Sequence, residues 1–165
     1  MESRPKLILE LSPTDKFIEA AGWAALLLLW GLSILYYTNL PEIIPTHFDS
    51  SGQVNAYGSK MSLMFLPVLG TLLVIGLTIL NMYPHIFNYP VKVTKETALR
   101  QYINATRMLR FFKLMVVLVI SLMITIINHA ATNNSGKISF LLMPITLGMI
   151  ILPLVYFTIK AFRIK

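Results

Sequence analysis

The chain has 165 residues, 56% of them hydrophobic and only 13% charged, with a net charge of +7 and a mean hydropathy of +0.69. The charged share is about half that of an ordinary soluble domain, so lipid is the expected solvent for much of the chain. The basic residues flank long apolar runs and do not gather on one face, which argues against a nucleic-acid surface, and the lack of cysteine excludes disulfides, thiolate metal sites and cysteine nucleophiles.

Residues 1–16 mix Arg4, Lys6 and Lys16 with Glu2, Glu10 and Asp15 and hold two prolines, as a short extramembrane tail would. The apolar run that follows, 17–39, is too long for a cleavable signal peptide and long enough to cross a hydrocarbon core of roughly 30 Å. Glu19, its single charge, lies near the start, where a carboxylate reaches the headgroups; Trp23, Tyr36 and Tyr37 sit as interface anchors.

Residues 40–60 form the longest polar interruption of the first half, yet they carry Ile43, Ile44, Phe48, Val54 and Tyr57. Pro41 and Pro45 stop the helix, and Gly52 and Gly58 offer turn positions. A segment so apolar is expected to fold back as an ordered loop. A second span is expected over 61–83, with Ser59 as its N-cap and Pro67, Gly70 and Gly76 as sites of bending or close contact. The connection 84–107 breaks at Pro84 and Pro90, after which Thr94 is placed to cap a surface helix from Lys95 that runs into span three.

Span three is expected over 108–129, opened by Arg107, Arg110 and Lys113, which can snorkel toward lipid phosphates. The cluster Thr132-Asn133-Asn134-Ser135-Gly136 is a turn, and span four covers 138–159 with Lys160, Arg163 and Lys165 behind it. The fold expected is therefore all-α: four transmembrane helices in an antiparallel bundle, with an ordered extracytoplasmic loop between helices one and two. Twelve Lys and Arg residues fall in the two tails and in the second connection with the start of span three, and only Lys60 and Lys137 in the other connections. This asymmetry puts both termini in the cytoplasm of a bacterial cell and the 40–60 loop outside its cytoplasmic membrane.

Which chemistry could such a chain carry? His47 and Asp49, with Glu42 and His129, could supply nitrogen and oxygen ligands to a divalent metal if the loop closed over span three. The plainer reading has His47 hydrogen-bonded to a carbonyl or to Asp49, locking the loop. His47 beside Ser50 or Ser51 could also serve a hydrolase, but no Gly-x-Ser-x-Gly or His-Glu-x-x-His pattern accompanies them. The span centres carry hydroxyls such as Ser33, Thr71, Thr78, Ser121, Thr125 and Thr146 and no ionisable group, which suits interhelical hydrogen bonds better than a conduction path. Tyr89 and Pro90 read as an interfacial turn before they read as a docking surface. No cofactor is implied by any of these patterns.

The spacing of Leu40-Pro41, Ile44-Pro45, His47, Gly52 and Tyr57-Gly58-Ser59-Lys60 resembles the signature of a bacterial membrane domain of unknown function. That domain also forms the N-terminal part of immunity proteins against the sporulation-delaying toxin of bacilli. Phe87-Asn88-Tyr89-Pro90 with Val93-Thr94 resembles a second segment of the family. Asn55 departs from the pattern, since an aspartate is common there, and the immunity proteins' further C-terminal membrane domain is not expected here. The resemblance implies a binding or sensing protein in which Pro41, Pro45, His47, Asp49, Gly52, Asn55, Gly58 and Lys60 shape an outer surface for a peptide, lipid or protein partner. Asn88, Tyr89, Pro90 and Thr94 would form a cytoplasmic motif. A metal-dependent or hydrolytic site on His47, and an accessory role beside a larger membrane complex, are the alternatives.

Overall fold

The computed structural model describes residues 4–133 and 142–164. Helix α1 spans Pro13–Asn39 and begins four residues before the expected span. The reason is a capping box: Ser12 Oγ accepts from the Asp15 amide, the Ser12 amide donates to Asp15, and Pro13 supplies the preset φ of a first helical position. The helix stops at Leu40, whose extended backbone leads into Pro41.

The 40–60 segment, expected as an ordered loop, forms a β-hairpin. β1 (Ile43–Phe48) pairs antiparallel with β2 (Val54–Ser59), placing Ile44 opposite Gly58 and His47 opposite Ala56. The register slips on either side of His47, next to Pro45, which cannot donate to a ladder. A 3-10 turn (Lys60–Met64) then feeds α2 (Phe65–Leu80), and Ser59 Oγ accepts from the Met61 amide as its cap.

Helix α3 runs unbroken from Ala98 to Thr132, joining the surface segment to the span. Its start lies three residues beyond the Lys95 expected. Thr94 and Thr97 satisfy each other's amides through their hydroxyls, and Thr97 takes the N-cap position. Helix α4 is Leu142–Arg163, passing the expected end at 159. Of the turn cluster, Thr132 and Asn133 are described; 134–136, Lys137, the expected start of span four and Lys165 lie outside the described residues.

All four helices are long and apolar enough to cross a bilayer. Helix α3 is central, packing against α1, α2 and α4, while α4 leans on α3. Leu29, Val74, Val117 and Ile124 close the interior between α1, α2 and α3. Outside, Leu27 is 75% exposed and Leu152 70%, an arrangement that water would penalise and lipid does not. Both terminal segments and the second connection share one end: Arg4 donates to Phe87 O, Tyr102 to Pro5 O and Gln101 to Ala161 O. The hairpin occupies the other.

The hydroxyls of the spans do less between helices than their number suggests. Ser33, Ser121 and Thr125 donate to the carbonyl one turn back in their own helix. Thr71 and Thr78 do the same, but each also accepts from another helix: Thr71 from Trp30 Nε1 and Thr78 from Lys113 Nζ, both at 2.9 Å.

Candidate functional site

The hairpin is fixed to the bundle by its inner face. Ile44 is 1% exposed and joins a buried cluster with Leu40, Leu63, Ile124 and Ile127. Glu42 and Lys60 clamp its base through a 2.9 Å ion pair, and the Lys60 ammonium stands 5.2 Å from the Tyr37 ring centre. Gly58 has a packing reason as well: a Cβ there would meet the Thr46 methyl at 2.9 Å.

The tip is an aspartate-ordered turn. Asp49 Oδ1 accepts from the amides of Ser51 and Gln53 and from the Ser51 hydroxyl, and Gly52 takes φ 79°, a value that favours glycine. The Ser51 hydroxyl first, then the Gln53 amide, hold the Asp49 carboxyl below the usual carboxylate range. A carboxyl lowered in the folded state contributes fully above its ordinary value of 3.8 and fades as pH falls through the lowered one. An NMR titration should accordingly place the Asp49 midpoint below 3.8. Asp49→Ala should speed amide exchange at Ser51 and Gln53 while helix protection stays as it was; unchanged exchange at both amides would refute the role given to this side chain.

The candidate ligands part company. His47 Nδ1 lies 2.5 Å from Asn55 Oδ1, Asp49 serves the turn, Glu42 pairs with Lys60, and His129 Nδ1 meets Asn133 Nδ2 at 2.8 Å. Asn55, the departure from the expected aspartate, thus accepts from the histidine across the strands. Among the described residues, no three His, Asp or Glu side chains gather closely enough to hold a metal ion. The outward side of the hairpin is apolar and aromatic: Ile43, Tyr57 and Met61 are exposed, and a cavity of about 280 Å³ opens between Pro41, Ile43, Pro45, Tyr57, Ala130 and Ala131.

At the opposite end the structure assembles a charge cluster. Asp15 binds Arg107 through two contacts of 2.6 and 2.9 Å, and Glu19 bonds Lys113 while lying 3.4 Å from Arg110. The Lys113 side chain is 2% exposed, so it does not snorkel to lipid phosphates as expected, nor does Glu19 act as a lone headgroup carboxylate. The signal was present in the sequence. Asp15 and Glu19 are spaced i, i+4 near the start of one span, and Arg107, Arg110 and Lys113 follow at three-residue steps near the start of another that runs the same way.

The second motif is also built into the fold. Tyr89 donates to Pro84 O, its ring stacks on Phe87 and tilts against Tyr102, and Arg4 lies 5.2 Å above it. Burial, above all, pushes the Tyr89 phenol upward, so it stays a donor. Asn88 and Pro90 are exposed beside it, and Thr94 serves the approach to α3.

Residues 24–71 match the model of a family described as a domain of unknown function, DUF1648. The match runs from within α1 through the hairpin into α2. The chain is also similar to an "Uncharacterized protein" of Archaeoglobus fulgidus, 29% identical over 163 residues that cover 89% of this chain and 87% of the relative. No solved structure matches it.

Proposed function

We propose that this chain is a binding protein of the cytoplasmic membrane that meets an extended peptide partner through the outward side of its hairpin. One observation carries the reading: the hairpin is docked by Ile44 on its inner face, while Asn55, Ala56 and Tyr57 of β2 stand exposed. An exposed strand edge offers main-chain hydrogen bonds to an added strand, and side chains such as Tyr57 supply the choice of partner. The match to the domain of unknown function supports it, since the matched stretch contains the whole hairpin. So does the resemblance to toxin-immunity proteins, which implies a peptide, lipid or protein partner at this surface. The excess of Lys and Arg at the other end favours an outward-facing hairpin.

The test has two arms in bacterial cells expressing the chain. An impermeant maleimide should label Ser51→Cys and spare Lys95→Cys. Challenge with a panel of membrane-active peptides should show at least a several-fold gain in survival for one of them, lost in Tyr57→Asp. The reverse labelling, or unchanged sensitivity across the panel, overturns the reading.

A further inference from the structure

At the end of the molecule away from the hairpin, a cavity of about 370 Å³ lies between the 86–90 segment, α3 and α4, with Ile86, Phe87, Tyr89, Met108, Leu109 and Phe157 among its walls. This volume falls within the roughly 300–1,000 Å³ typical of small-molecule sites. Two carboxamides on α3, Gln101 and Asn104, also line it and are 1% and 5% exposed. Gln101 Nε2 donates to Ala161 O and Asn104 Nδ2 to Phe157 O, each at 2.9 Å. A carbonyl only accepts, so these contacts fix both amide orientations; turning either one over would set oxygen against oxygen. Gln101 Oε1 and Asn104 Oδ1 are left buried with no hydrogen-bond partner among the described residues. Buried polar atoms in such a state call for an explanation.

The chemistry of the walls selects the occupant. One hydrogen of each α3 amide nitrogen is committed to α4 and the Tyr89 hydroxyl to Pro84 O, so the two amide oxygens are the unmet groups there. Set against these two oxygens, a carboxylate or phosphate head finds repulsion. A cationic head would be stripped of water with no carboxylate among the lining residues to pair with it. A neutral head that donates, on an otherwise apolar body, gives a buried oxygen such as Gln101 Oε1 its partner and suits the Phe and Leu walls at once. Water alone would serve the oxygens but leave the apolar walls wetted. We infer that this cavity binds a neutral lipid-like alcohol, its single hydroxyl proton donated to Gln101 Oε1 and its chain lying along Phe87, Met108 and Leu109. The neighbouring Lys160 and Arg163 mark headgroup depth, where such amphiphiles reside.

The inference is tested on the purified chain in phosphatidylcholine nanodiscs, with a diazirine-bearing dodecanol as photoprobe. Adducts should map to residues 84–90 and 101–109. Dodecan-1-ol should compete at least ten-fold better than its methyl ether, dodecanoate or dodecylammonium. Leu109→Trp, which fills the cavity without touching the amides, should cut labelling at least five-fold. Gln101→Met should erase the preference for alcohol over ether; where that variant loses helicity, the competition on the unmutated chain decides. Equal competition by alcohol and ether, adducts spread evenly over the lipid-facing helices, or full labelling of Leu109→Trp would each overturn it.

Discussion

Glu19→Gln is expected to destabilise the folded chain more than any other single charge change, by about 3–5 kcal/mol, the usual cost of leaving a buried ion without its partner. Two cations depend on this one carboxylate. Among the described residues, Lys113 bonds it directly and has only the Thr78 hydroxyl and the Trp23 ring, 5.7 Å away, as further support. Arg110 lies 3.4 Å from its other oxygen, with a buried Nε that makes no hydrogen bond among the described residues. Lys113→Met should cost far less, about the 0.5–1.5 kcal/mol of one hydrogen bond, because Glu19 keeps Arg110 and the methionine fills the same volume. The double variant Glu19→Gln/Lys113→Met should recover part of the loss. In detergent, thermal unfolding should show Glu19→Gln lowered by roughly 6–20 °C. Equal losses for Glu19→Gln and Lys113→Met would show that charge balance does not organise this end.

The same cluster rests on pairings that local sequence signals do not carry. Hydropathy and the Lys/Arg asymmetry gave four helices and a layout that puts both tails and the second connection together, because those signals are local and additive. Pairing is not local: Asp15 meets Arg107 only once the helix register is set, so two ends that each looked like headgroup anchors proved to be one interior network. The hairpin shows a similar limit. Its prolines, glycines and buried Ile44 were legible as an ordered cap. Its strand pairing was not, because Pro45 and the slipped register around His47 break the period-two alternation that betrays a strand. Likewise the sequence sets His47 near Asp49, yet the ring contacts Asn55 across the turn. The carboxamides Gln101 and Asn104 lie in the stretch expected as a surface helix, and α4 covers them.

Leu29→Ala should produce the largest loss of any apolar substitution, and its sharpest signature is coupling to Gly70. Leu29 is fully buried between α1, α2 and α3, and a Cβ on Gly70 would stand 2.9 Å from its Cδ2 and 3.5 Å from Ile120 Cδ1. Lipid is as apolar as leucine, so helix association here rests on close contact and not on escape from water. The expected loss is therefore in the lower part of the 2–5 kcal/mol range for such truncations, about 2–3 kcal/mol, and comes from the cavity. Gly70→Ala drives a methyl into the same space from the other side and should cost about 1–3 kcal/mol. Combined, the two changes offset one another: the new methyl occupies part of the void, so the double variant should be more stable than the sum by about 1–2 kcal/mol. Gly31→Ala and Gly76→Ala provide the control, since a Cβ at either position meets nothing within 4 Å and alanine is the better helix former. Reversible unfolding of all five variants in one detergent measures the cycle. If Gly70→Ala behaves like Gly76→Ala, or if the double variant is simply additive, the close approach of α2 to α1 at this level is not what holds the bundle.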